Sequence, residues 1–143
     1  MPRCQVEDFV LRVKPEHDSY SLSSGQRMVF DITMTYEGKA ECNGYWGAGA
    51  DTMRIVNAQG QLVFANGCAG FCGLYPPYNP LPPGRVVINT TAWWDGKECS
   101  TSKCWGCLYD CPPRLPEPPG NYTVYVTDDP YKQSAPASFQ LNA

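Results

Sequence analysis

Apolar and polar residues alternate with a period of two along most of the chain. Met28, Phe30, Ile32, Met34 and Tyr36 form one apolar row, interleaved with Val29, Asp31, Thr33 and Thr35. Successive side chains of a strand point to opposite faces, so this pattern predicts a half-buried antiparallel strand. Phe9, Leu11 and Val13 alternate in the same way until Pro15 ends the run. Residues 53–56 and 61–65 are two apolar runs joined by Asn57-Ala58-Gln59-Gly60, the spacing of a β-hairpin with a short Gly-containing loop. Residues 85–94 give the longest expected strand, with Val86, Ile88, Thr90, Ala92 and Trp94 on one face. Tyr122, Val124 and Val126 alternate with Thr123, Tyr125 and Thr127, and Phe139 and Leu141 close the chain. No window carries a 3.6-residue period with caps, so helix content is expected to be low.

Seven alternating strands are the number expected of an immunoglobulin-like antiparallel β-sandwich, an all-β fold. The 143 residues make one domain, 1–143, long enough to bury a sizeable core. Three insertions interrupt the strands, at 37–51, 66–84 and 95–119. Together they hold seven of the eight cysteines, 10 of the 13 glycines and 10 of the 14 prolines. Loops this long are usually functional or disordered, and their cysteines argue against disorder.

Those cysteines are Cys4, Cys42, Cys68, Cys72, Cys99, Cys104, Cys107 and Cys111. An even count placed in loops reads as a disulfide framework of unknown pairing, each bridge worth about 2–4 kcal/mol. Cys4 is expected to tie the N-terminal arm to an insertion. The rival reading is a metal site: Cys104-Trp-Gly-Cys107 has zinc-knuckle spacing, and Cys99 and Cys111 would complete four thiolates. Thioredoxin-type redox chemistry is disfavoured, because no βαβ pattern surrounds Cys104. No cofactor is expected.

The strand series also carries a resemblance. Phe30-Asp-Ile-Thr-Met-Thr-Tyr36 comes first, then Met53-Arg-Ile-Val-Asn-Ala-Gln-Gly-Gln-Leu-Val-Phe64. Leu81-Pro-Pro-Gly84 leads to Trp93-Trp-Asp95, and Pro118-Pro-Gly-Asn-Tyr-Thr-Val124 follows. Over about two-thirds of the chain, this order resembles the BsuPI-type intracellular proteinase inhibitor domain, itself an immunoglobulin-like sandwich. The resemblance implies the fold and a proteinase inhibitor acting through a rigid loop. The cysteines and the Pro-rich insertions depart from the family pattern, and no inhibitory residue carries over. Pro119-Gly120 also has a physical reading as a turn, and Tyr122 as a tyrosine corner whose hydroxyl bonds back to nearby backbone.

Composition narrows the function. The net charge of -3 offers no basic surplus to neutralise phosphates, which argues against a nucleic-acid binder. No apolar run approaches the ~20 residues needed to span a bilayer, so no membrane insertion is expected. His17, the single histidine, sits between Glu16 and Asp18 and reads as a solvated loop residue rather than a general base. Ser19, Ser21, Ser23 and Ser24 read as loop punctuation before Gly25. Glu7-Asp8 and Asp128-Asp129 read as solvated strand ends, because adjacent strand residues face opposite ways. No catalytic or phosphate-binding motif is present, so the chain is expected not to be an enzyme.

Tyr45, Trp46, Phe71, Tyr75, Tyr78, Trp105 and Tyr109 all lie in the insertions. They are equally suited to satellite cores under the loops and to a protein-binding surface. The Pro-rich stretch 75–83 is extended and low in entropy, which suits docking. The expectation is a non-enzymatic interaction module that meets a protein partner or copies of itself. It would be a structural or decoration component of an extracellular capsid, filament or cell envelope, with proteinase inhibition as the alternative. Cysteine usage favours an oxidising compartment, outside the cell or on a particle surface; the cytoplasm of a hyperthermophile is the other setting. The N-terminus has no apolar stretch of a secretory signal, so the chain is either a processed form or made without one. Asn89-Thr90-Thr91 and Asn121-Tyr122-Thr123 match glycosylation acceptors. Both fall in expected strands and the pattern arises easily by chance, so neither enters the functional reading.

Overall fold

The row of apolar residues from Met28 to Tyr36 forms a strand whose inner side chains are all buried, and the rest of the fold is arranged around it. The computed structural model describes residues 2–25, 27–43, 50–66, 80–97, 103–105, 108–110, 116–129 and 132–143. Of residues 50–52, 66, 88, 103–105, 108–110, 128, 129 and 132 it describes the backbone. Among these residues the strands are β1 (Phe9–Pro15), β2 (Ser19–Ser21), β3 (Met28–Tyr36), β4 (Ala50–Val56), β5 (Leu62–Asn66) and β6 (Val86–Trp94). They continue with β7 (Lys103–Trp105), β8 (Leu108–Asp110), β9 (Gly120–Asp129), β10 (Lys132–Gln133) and β11 (Ala137–Asn142). Among the described residues helix is confined to two single 3-10 turns, Val6–Asp8 and Leu22–Ser24.

The strands make two sheets packed together. One has the order β1-β3-β6; the other runs β2-β11-β9-β4-β5, with β10 alongside β9. Among the described residues β7 and β8 pair only with each other. Among the described strands all pairings are antiparallel except that of β2 with β11, which is parallel. Between the sheets, Phe30 and Trp94 of the first meet Phe139, Tyr122 and Phe64 of the second at ring-centroid distances of 5.3–6.3 Å. Burial of aromatic rings of this size is the main stabilising contribution to such a core.

Each of the seven expected strands has its counterpart, and the hairpin is present: β4 pairs with β5 through Asn57-Ala58-Gln59-Gly60. Asn57 organises that turn, its Oδ1 accepting from the backbone N–H of Gln59 and of Gln61. Gly60 takes the left-handed φ of 78° that closes it.

Two expectations change. The face assigned to 85–94 is in phase at Ala92 and Trp94, which are buried, but Val86 points outward and Val87 is buried instead. The β3–β6 register shifts at Met34/Thr35, and this extra residue in β6 exchanges the faces beyond it. Ser19 and Ser21, expected as loop punctuation, belong to β2, where Tyr20 is 2% exposed and sits beside β11. Ser21 and Ser23 hydroxyls donate to the Ala143 carbonyl, which ties the last residue to this corner.

Candidate functional site

The antiparallel registers decide where the insertions lie. Phe9 opens β1 opposite Tyr36, the last residue of β3, and Thr35 stands opposite Val86 at the start of β6. In the other sheet Ala50 opens β4 opposite Asp129, and Asn66 closes β5 opposite Met53. The N-terminal arm and the insertions 37–51 and 66–84 therefore leave the sheets at one end. The insertion 95–119 leaves from the other, because Trp94 pairs with Met28.

The first of these ends is braced. Cys4 and Cys42 form a disulfide, as expected for an arm tied to an insertion. Cys42 also exchanges both backbone hydrogen bonds with Leu81, at 3.1 and 2.9 Å, and so joins 37–51 to 66–84. Cys4 N–H donates to the Asn43 carbonyl and Asn43 N–H to the Pro2 carbonyl. Cys4, Cys42 and Leu81 are 7%, 2% and 2% exposed, so the junction is a small buried cluster continuous with the core. A 38-residue separation makes the cross-link worth about 4 kcal/mol on the chain-entropy model.

Tyr36 anchors the same end to β3. Its backbone accepts from Gly84 N–H and donates to the Arg85 carbonyl, while its hydroxyl donates to the Ala40 carbonyl at 2.5 Å. Gly38 packs directly on the phenol, so a Cβ there would overlap the Tyr36 ring and hydroxyl. The Arg12–Glu37 ion pair at 2.8 Å is about half exposed on both sides and contributes little.

The other end is organised around Trp94 and Tyr122. Trp94 Nε1–H donates to the Lys97 carbonyl at 2.7 Å, and Glu117 N–H donates to the Gly96 carbonyl at 2.7 Å. With the Lys97–Pro116 bridge these bonds close the neck of the third insertion. That insertion is not structureless, since it contains the β7–β8 hairpin. Tyr122 donates to the Pro118 carbonyl at 2.5 Å, the expected tyrosine corner. Between this corner and the Asn57 turn lie two adjoining open clefts of about 210 and 510 Å³, lined by Asn57, Gln59, Glu117 and Pro118 among others. Burial, reinforced by the Glu117 charge, pushes the Tyr122 phenol above its ordinary pKa. Burial does the same at Tyr20, opposed by backbone hydrogen bonds, chiefly that from His17.

Of the expected binding aromatics, Tyr45, Trp46, Phe71, Tyr75 and Tyr78 lie outside the described residues, in the insertions that leave from the braced end. Trp105 and Tyr109 belong to the hairpin of the opposite insertion, where Trp105 stands in register with Leu108 and Tyr109 with Cys104. Cys68, Cys72, Cys99, Cys107 and Cys111 also lie outside the described residues, and with them both the remaining disulfides and the four-thiolate alternative. Among the described residues, no group of three or more His, Cys, Asp or Glu is placed to hold a metal ion. His17 is exposed, its ring edge-on to Tyr20 at 5.6 Å. Among the described residues no helix is long and apolar enough to cross a membrane.

Sequence reasoning missed the Cys42–Leu81 junction and the Gly38–Tyr36 contact. The available signals were small: an isolated leucine within Pro80-Leu81-Pro82-Pro83, and a glycine two residues beyond a strand-ending tyrosine.

No protein-family model matches the chain. No curated protein matches it either. Among solved structures, it is similar to the β-glucosidase EmGH1 from Erythrobacter marinus, at 14% sequence identity and a TM-score of 0.47. That likeness covers 93% of this chain and 15% of that chain.

Proposed function

We propose that this chain is a non-enzymatic protein-interaction module built on an immunoglobulin-like sandwich. It serves as a structural or surface component of an extracellular assembly such as a capsid, filament or cell envelope. The fold assignment is supported by the strand orders β1-β3-β6 and β2-β11-β9-β4-β5. These correspond to the A-B-E and G-F-C strands of that topology, with β5 in the C′ place. The Tyr122 corner at the start of β9 supports it too.

One observation carries the functional reading. The arm and two insertions are fastened to one another at Cys42, through the disulfide to Cys4 and the paired bonds to Leu81. Fastening the roots of these segments lowers the conformational entropy left to lose on binding, which is a physical advantage for an interface. A disulfide buried in this junction also favours an oxidising, extracellular setting.

Light scattering after gentle isolation from the natural source tests the reading. A mass of several chains, or of the chain with a second protein, is expected. A monomer that co-purifies with nothing overturns it. Titration against a protease panel belongs beside it, since inhibition at micromolar concentration would instead support the inhibitor function that the BsuPI resemblance implies.

A further inference from the structure

We infer that Asn89 is a site of N-linked glycosylation, its oligosaccharide covering the outer face of the three-stranded sheet. The inference rests on the extracellular reading above. Among the described residues β6 is the last strand of its sheet, and its nine residues, Val-Val-Ile-Asn-Thr-Thr-Ala-Trp-Trp, contain no charge and no proline. Terminal strands are ordinarily guarded by lysines, prolines or bulges against pairing with other chains. β6 has one bulge near its start and no other such device. It also presents Val86, 44% exposed, and Trp93, 40% exposed beneath the Arg27 guanidinium 4.5 Å from its ring. An edge strand without charge or proline on a secreted domain calls for cover.

Asn89 lies between those two residues along the strand. Its side chain is exposed, it stands in register with Thr33 of β3, and Thr91 of the acceptor triplet is exposed as well. The triplet's position in a strand is no obstacle, because transfer takes place on the unfolded chain and the fold need only leave the amide facing solvent. The donor is a lipid-diphosphate-linked oligosaccharide. Asn89 Nδ2 forms a bond to C1 of the reducing-end sugar and loses one proton. The C1–O bond to the lipid diphosphate breaks, and that group leaves with the electron pair. The second triplet starts at Asn121, which is exposed but belongs to β9, a strand inside its sheet. The need for cover therefore singles out Asn89.

The test is mass spectrometry of the protein from its natural source, before and after an amidase that removes N-glycans. The tryptic peptide 86–97 is expected to carry a hexose-containing mass addition, which the amidase removes while converting Asn89 to aspartate. Asn89→Gln and Thr91→Ala, secreted by the same cells, are each expected to lose the addition, and Asn121→Gln to keep it. An extracellular, disulfide-linked protein with an unmodified 86–97 peptide overturns the glycan and leaves the extracellular reading standing. A protein found inside the cell with Cys4 and Cys42 alkylated without reductant overturns both.

Discussion

Replacing both cysteines of the described disulfide, Cys4→Ala with Cys42→Ala, isolates the brace, because neither thiol is left unpaired. The cross-link spans 38 residues, and the chain-entropy model assigns it about 4 kcal/mol through the unfolded state. A domain of this size has about 5–15 kcal/mol of stability in total, so the double variant is expected to fold but with a large loss. At roughly 2–4 °C per kcal/mol, Tm should fall by about 8–16 °C. Urea unfolding followed by Trp fluorescence is the assay, and the m value should rise as the unfolded chain expands. Hydrogen exchange gives the location: the Cys4, Asn43 and Leu81 positions should exchange faster while the Val124 and Val126 amides of β9 keep their relative protection. A loss below about 1 kcal/mol with an unchanged m value would refute the reasoning, because backbone pairing and burial would then hold the end together without the cross-link.

Other perturbations test the neighbouring contacts. Tyr122→Phe removes the bond to the Pro118 carbonyl and should cost about 1–3 kcal/mol in urea unfolding, with a loss near zero counting against the corner's role. Gly38→Ala forces a methyl into the Tyr36 phenol and should cost about 1–3 kcal/mol by thermal unfolding. Trp94→Ala empties the middle of the aromatic cluster and should cost about 3–5 kcal/mol, with rescue by Trp94→Phe in part. For pH, the phenols of Tyr20 and Tyr122 titrate above their ordinary 10.0 when folded. The unfolded chain then loses those protons first, so stability is constant in this respect below that value and falls as pH rises beyond it. Urea midpoints measured across the alkaline range should show that decline, shallower in Tyr122→Phe.

The parts of the fold that local alternation determines were legible in the sequence. Met28 to Tyr36 and Phe9 to Val13 bury the residues that the pattern placed inward, and Asn57 to Gly60 turns where its residues suggest. Two kinds of feature were not legible. A period-two pattern has no marker for an inserted residue, so the bulge opposite Met34/Thr35 exchanged Val86 with Val87. β2 is three residues long and owes its existence to parallel pairing with β11, more than a hundred residues further on, which no local window contains. The brace was half legible. An arm cysteine tied to an insertion follows from the cysteine placement, whereas the Leu81 partner depends on the two sheets bringing distant loops to one end.

Lysines distinguish the two ends, which makes cross-linking the most direct test of an interaction surface at the braced end. Lys39 is exposed beside the brace, while Lys14 and Lys97 are exposed toward the opposite end. Treating the native assembly with an amine-reactive cross-linker, followed by mass spectrometry, should join Lys39 to another chain. Cross-links to other chains only through Lys14 and Lys97 would contradict the account.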